Sequence, residues 1–263
     1  MIYPANFESK IGFDRIRALV AERCNTQAAI AKLGEHQFSS RRAEVENRIA
    51  SADEMRTIVM MESEFPNEEF CDLTALIAKV RVEGTFLDLE EAVLLARALH
   101  QVDSVSRFIL SRERALYPHL YKLTEGVISL EAIANHIDSL IDRFGQMRDS
   151  ASDELYRIRR SIREREGQAS KRLQQVLQAA KSAGIVEADA TLSIRDGRAV
   201  IPVAAGNKRK LNGFVQGESA TGKTVFIEPV EVVELNNELR ELEYAERREI
   251  VRILSDLTDR IRP

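Results

Sequence analysis

The run G-E-S-A-T-G-K-T, Gly217 to Thr224, fits G-x-x-x-x-G-K-[ST], the pattern of a nucleotide-binding P-loop. In a working P-loop the backbone amides and the N-terminus of the next helix hold the phosphates, and the lysine and hydroxyl complete the site. That chemistry needs a helix directly after Thr224. The next residues are instead V-F-I-E-P, β-branched and aromatic, with Pro229 where a second helical turn would lie. Proline inside a helix costs about 3 kcal/mol and disfavours helix at Glu228 before it. A strand ending at Pro229 carries no such penalty. No alternation of strand and helix supplies the parallel sheet in which P-loops sit. The motif therefore reads as a glycine-containing turn between two antiparallel strands, and a bound nucleotide cofactor at Gly217–Thr224 is rejected.

Other catalytic chemistry has no pattern to stand on. His36, His100, His119 and His136 are scattered and form no H-E-x-x-H or H-x-x-x-H. The acidic residues are distributed as helix faces, and there is no G-x-S-x-G. Catalytic and metal sites are therefore expected to be absent from these residues. Cys24 and Cys71 are far apart and suggest neither a disulfide framework nor a zinc site, which fits a reducing cytoplasm. No run is long and apolar enough to predict a membrane span.

One cluster does suggest a partner. Between residues 191 and 227 stand Arg195, Arg198, Lys208, Arg209, Lys210 and Lys223, against only Asp196 and Glu218. Asn207, Asn212, Gln216, Ser219 and Thr221 add neutral donors suited to phosphate oxygens. Such a set gives affinity for a phosphate backbone without reading sequence, and the spacing reveals neither a recognition helix nor an aromatic stacking platform. The residues alone equally fit a solvated basic strand edge, where lysine discourages aggregation. The chain as a whole has a net charge of −4, so the basic character is local.

The elements that must hold this cluster are mostly helical. Scarce glycine (12) and proline (6) and 30% charged residues suit long solvated helices. Residues 1–148 read as a helical core. Val45, Ile49, Ala52, Met55, Ile58 and Val59 form an apolar stripe expected to pack inside it. Pro66 breaks the stretch at 64–72, Asp88 with Glu91 looks like a capping box, and Pro118 is read as the end of a helical region. Residues 149–189 contain a first long helix, Ser152 to Ala183, with Leu155, Ile158, Ile162, Ala169, Leu173, Val176 and Ala180 as its stripe. Its 32 residues span about 48 Å. Residues 190–229 change to β, with Asp196-Gly197 as a hairpin turn and Lys208–Lys210 opening a third strand. A second long helix occupies 230–263. The first helix carries a net +4 and residues 230–261 a net −4, which favours their pairing. The expected fold is mainly α: a helical core and a long antiparallel helix pair with a small antiparallel β clamp at its tip. A coiled-coil module that docks a protein and touches no nucleic acid is the competing expectation.

Four stretches carry a resemblance: D-S-A-S-D-E-L-Y-R-I-R-R (149–160), L-S-I-R-D-G-R-A-V-I-P-V (192–203), G-F-V-Q-G-E-S-A-T-G-K-T-V-F-I-E-P (213–229) and V-V-E-L-N-N-E-L-R-E-L-E (232–243). In wording, order and spacing they resemble the N-terminal part of the second bacterial MutS family, the Smr-containing MutS homologues. The resemblance is specific over 149–261 and rests on helical pattern alone over 1–148. It implies a core, a lever of long helices and a β clamp that binds DNA. It further implies an ATPase domain using ATP and Mg after residue 263, and then a Smr endonuclease domain. Such proteins are cytoplasmic homodimers associated with branched or mismatched DNA, with suppression of recombination, and in some cases with ribosomal RNA on stalled ribosomes. Lys223 departs from the family, which typically carries a small residue there. Asn236 and Asn237, poor helix formers, either hydrogen-bond across the lever or are exposed helix residues.

Overall fold

The computed structural model describes residues 6–66 and 70–262. It is mainly α-helical with one small antiparallel sheet. The chain divides into two compact units: Met1–Arg148 together with Leu254–Pro263, and Asp149–Ile253.

The first unit contains α1 (Phe7–Lys10), α2 (Phe13–Ala21), α3 (Gln27–Glu35), α4 (Arg42–Met61), α5 (Thr74–Val80), α6 (Leu89–Ser111), α7 (Pro118–Thr124) and α8 (Glu131–Leu140). α6 starts where the sequence says it must. The Asp88 side chain accepts from Glu91 N at 2.8 Å and the Glu91 carboxylate accepts from Asp88 N at 2.9 Å, closing a capping box. α6 packs on α8, and buried Ala92, Leu95 and Ala96 on one helix and Ala134 and Ile137 on the other are apolar. A second apolar cluster joins Ile58, Phe108, Ile109, Tyr117 and Leu120.

Two expectations for this unit fail. Pro118 opens a helix instead of ending one, because at N1 a proline forfeits only an amide that would be unpaired anyway. The amides behind it are satisfied from elsewhere: the Glu54 carboxylate accepts from His119 N at 3.0 Å and Leu120 N at 2.9 Å. Burial works against the charged form of Glu54, but these hydrogen bonds, with those of the His119 ring, leave its pKa below the ordinary value. The α4 stripe is the second failure. Ile58 is buried, but Val45, Ile49 and Val59 are exposed, as are Ile16, Leu19 and Val20 of α2. The helical period is there, yet among the described residues no apolar face covers it. The expected break at 64–72 lies partly outside the described residues.

The second unit is built on α9 (Asp153–Ser182) and the part of α10 (Val230–Ile261) up to Ile253, with β1 (Ser193–Arg195), β2 (Arg198–Ala204), β3 (Gly213–Glu218) and β4 (Thr224–Pro229) between them. Ser152 caps α9 by accepting from Leu155 N at 3.0 Å, and its hydroxyl donates to Glu249 Oε1 at 2.6 Å. Arg159 Nε donates to Glu246 at 2.6 Å, and Arg165 lies 2.9 Å from the Glu238 carboxylate. Partners climb on one helix as they descend on the other, so α9 and α10 run antiparallel. The opposite charges of the two helices supply these cross-links. Leu155, Ile158, Ala169, Leu173, Leu177 and Ala180 are buried along α9. Leu177, not Val176, completes the buried stripe; Val176 is half-buried beside it.

The strand order is β1-β2-β4-β3, all antiparallel. Ile201, Val203, Val225 and Ile227 point from one face into a core completed by Leu173, Leu177 and Ala180 of α9 and Val232 of α10. The sheet therefore sits where α9 ends and α10 begins. No helix among the described residues is long and apolar enough to cross a membrane.

Candidate nucleic-acid interface

The G-E-S-A-T-G-K-T run forms the end of β3, a turn, and the start of β4. Ser219 closes the turn: its N–H donates to Thr224 O at 2.8 Å, and its hydroxyl accepts from Thr224 N at 3.1 Å. Gly222 has φ 67°, a left-handed conformation that glycine adopts without strain. The residues that would open a helix in a P-loop are β4, in register with β2 from Ile201↔Ile227 to Ala204↔Thr224. Lys223 lies in the turn and is exposed.

Lys208, Arg209 and Lys210 do not open a strand. Ala205–Asn207 make one turn of 3-10 helix, and the three cations occupy the turn just after it. Asn207 Nδ2 donates to Ile185 O at 3.1 Å, tying this segment to the chain just after α9. β3 begins only at Gly213, where an added Cβ would collide with the Glu228 carbonyl, so the strand can approach β4 this closely only at a glycine. The backbone brings the two basic segments to one end of the sheet: Ala205 N donates to Lys223 O at 2.9 Å, and Lys208 comes three residues later.

Arg195 ends β1 beside the Asp196-Gly197 turn, whose φ values of 48° and 75° are the left-handed pair of a tight hairpin. Its guanidinium carbon lies 4.1 Å from the centroid of the Phe226 ring, a cation–π contact. Arg198 differs from the other five cations. Its Nη1 donates to both oxygens of Glu228 at 2.8 Å, and its Nη2 donates to Asn237 Oδ1 at 3.1 Å. Glu228 is 1% exposed, and it also accepts from Gln216 Nε2 at 2.5 Å and Asn236 Nδ2 at 2.7 Å. A buried carboxylate is tolerable only when paired and fully hydrogen-bonded, and here side chains from β2, β3 and α10 do that. Arg198 is thus committed inside the protein.

This network forms no sequence motif, apart from the option that Asn236 and Asn237 bond across the helices. Its signal is a lone acid inside the otherwise apolar V-F-I-E-P strand, matched by two asparagines in a helix. The structure puts Asn236 on Glu228 and Asn237 on Arg198.

Arg195, Lys208, Arg209, Lys210 and Lys223 are exposed, and none meets a carboxylate among the described residues. On α9 most cations are answered. Arg157 meets Glu154, Arg160 meets Glu164, Arg163 meets Asp149, Arg159 meets Asp149 and Glu246, and Arg165 meets Glu238. Arg172 and Lys181 bond neutral oxygens, and Lys171 has no carboxylate partner among the described residues. Hydrogen bonds from Arg159 and then Arg163, opposed by burial, hold the Asp149 carboxyl below its ordinary value. Glu249 is likewise lowered, chiefly by Arg252 and also by Ser152. Among the described residues no group of His, Cys, Asp and Glu is placed to hold a metal ion.

No family model matches the chain. It is similar to endonuclease MutS2 of Geobacillus sp. (strain WCH70), 32% identical over 248 residues, which are 94% of this chain and 31% of that relative. Endonuclease MutS2 of Aquifex aeolicus (strain VF5) is 30% identical over 252 residues, 96% of this chain and 32% of the relative. Endonuclease MutS2 of Pelotomaculum thermopropionicum is 35% identical over 187 residues, 71% of this chain and 23% of the relative. The chain spans about a third of the length of the first two relatives.

Proposed function

We propose, for a chain that belongs to the MutS2 family, that the sheet at the end of its paired helices grips nucleic acid by the phosphate backbone. The observation that carries this is the charge state of the tip. Arg195, Lys208, Arg209, Lys210 and Lys223 are exposed with no carboxylate to neutralise them among the described residues. Two of the segments that bear them are held together by the Ala205–Lys223 hydrogen bond. A phosphate backbone carries condensed counterions, and cations that replace them release those ions and gain entropy. Arg198 has no part in the grip, because it neutralises Glu228.

In this account α9 and α10 act as a lever, and the Glu228 network makes the sheet move with α10. Such a grip suits branched DNA, and equally the phosphates of ribosomal RNA. Suppression of recombination and rescue of stalled ribosomes are roles it would serve in a longer, homodimeric protein. We assign the cleavage named in the relatives, and any use of ATP and Mg, to regions beyond the stretch matched here. The Gly217–Thr224 turn is proposed to bind no nucleotide.

The test is the triple variant K208A/R209A/K210A. At about 50 mM salt it should bind duplex DNA at least roughly tenfold more weakly than the parent, with an unchanged urea midpoint. Heparin should compete with the parent's binding. Unchanged affinity in the triple variant, or indifference to heparin, would favour a protein-docking module instead.

A further inference from the structure

The outer face of the sheet carries aromatic surface that the linear spacing of the residues conceals. In β4, Thr224, Phe226 and Glu228 point away from the apolar core formed by Val225 and Ile227. Phe214 of β3 is the direct register partner of Glu228, so it stands on that same outer face. Phe214 and Phe226 are therefore diagonal neighbours, about 7 Å apart in such a sheet. The residue opposite Phe226 on β3 is Gly217, which follows a bulge at Gln216 whose side chain turns to Glu228.

The two rings are presented differently. Phe214 is on an edge strand and 58% exposed. Phe226 is buried at 9%, but Arg195 is stacked on it and is itself exposed. A guanidinium that lies over an aromatic ring keeps a second side for stacking on planar π systems. The face thus offers one bare ring and one arginine plane, on the same small sheet as the unpaired cations of Lys208–Lys210 and Lys223. Cations at that density disfavour an apolar protein partner and favour a polyanion with planar groups.

We infer that the outer face of the sheet is a stacking platform for unpaired bases, with Phe214 and the Phe226-supported Arg195 as its two stations. Duplex DNA hides its base faces and meets only the cations. A single strand, or the splayed strands of a junction, meets both cations and platform. Base stacking of this kind tolerates any sequence, since every base has a π face. The inference rests on the proposed backbone grip and gives it a preference for unpaired structure.

The chain contains no tryptophan, so Phe214→Trp installs a single indole at the site. Titration of F214W with an oligothymidine of about 15 nucleotides should quench its emission, and a duplex of equal length should quench it far less. Phe214→Ala should weaken single-strand binding about tenfold and leave duplex binding within roughly twofold. Arg195→Lys, which keeps the charge but loses the plane, should lower single-strand affinity without changing the salt dependence. Running oligothymidine and oligouridine in parallel shows whether DNA or RNA supplies the better partner. If F214A binds single strands as the parent does, or loses duplex and single-strand affinity equally, the platform is wrong. The grip survives that result provided K208A/R209A/K210A still loses both. If the parent binds neither ligand, platform and grip fall together.

Discussion

Five arginines of α9 and five cations at the tip of the sheet carry the same charge with opposite fates. Arg157, Arg159, Arg160, Arg163 and Arg165 each meet a carboxylate, while Arg195, Lys208, Arg209, Lys210 and Lys223 meet none among the described residues. The difference is topological. α9 lies antiparallel to an acidic helix, so most of its charges are answered across the pair and along its own turns. The tip is reached only by short connections, and among the described residues its two acids, Asp196 and Glu218, form no ion pair with these cations. A count of charged residues cannot separate these cases, because it scores an arginine in a salt bridge and a free one alike. Arg198 shows the limit of proximity: it opens β2 within the basic sheet, yet it is paired like a lever arginine.

The comparison breaks most visibly at Arg198 and Glu228. Arg198→Ala leaves a buried carboxylate without its cation, and the expected loss is about 3–5 kcal/mol of stability in urea denaturation. Glu228→Gln, which removes the charge but keeps an acceptor, should cost less. If R198A instead kept its stability and lost nucleic-acid affinity as the tip variants do, Arg198 would belong with the free cations. A smaller effect is expected at the other end of α9. Ser152→Ala removes both the N-cap and the bond to Glu249, and should cost about 1 kcal/mol without changing nucleic-acid binding.

Acid should weaken the paired region. Asp149 and Glu249 have folded pKa values below their ordinary 3.8 and 4.5. A lowered carboxylate stabilises the fold fully above its unfolded value and loses that contribution as pH falls through the folded value. Stability to urea should therefore hold from about pH 7 to pH 5 and decline below. In Asp149→Asn the decline should be shallower, and an identical decline would show that these pairs do not govern it.

Much of this architecture is legible in the sequence, for reasons tied to particular residues. Ser152 and Asp88 mark helix starts because their side chains answer local amides. Pro229 and the β-branched run before it exclude a P-loop helix, and the Asp196-Gly197 pair locates the hairpin. Local chemistry determines these features, so a local reading finds them. The features that escape it depend on contacts distant in sequence. Pro118 looks like a stop until Glu54 is seen capping α7 from 65 residues away. The α4 stripe has helical period, but the period cannot tell whether anything covers it. The sequence does not pair Arg198 with Glu228, because the two lie 30 residues apart. Phe214 and Phe226 share a face only through the register of β3 on β4.

The most direct test of the central claim is the salt dependence of duplex binding, read as the slope of log K against log salt concentration. Five free cations at the tip predict a slope of about −4.5, falling in magnitude to about −1.8 in K208A/R209A/K210A. The lever variant Arg159→Ala should keep the parent's slope. Equal slopes for parent and triple variant, or a flattened slope in R159A, would contradict the account.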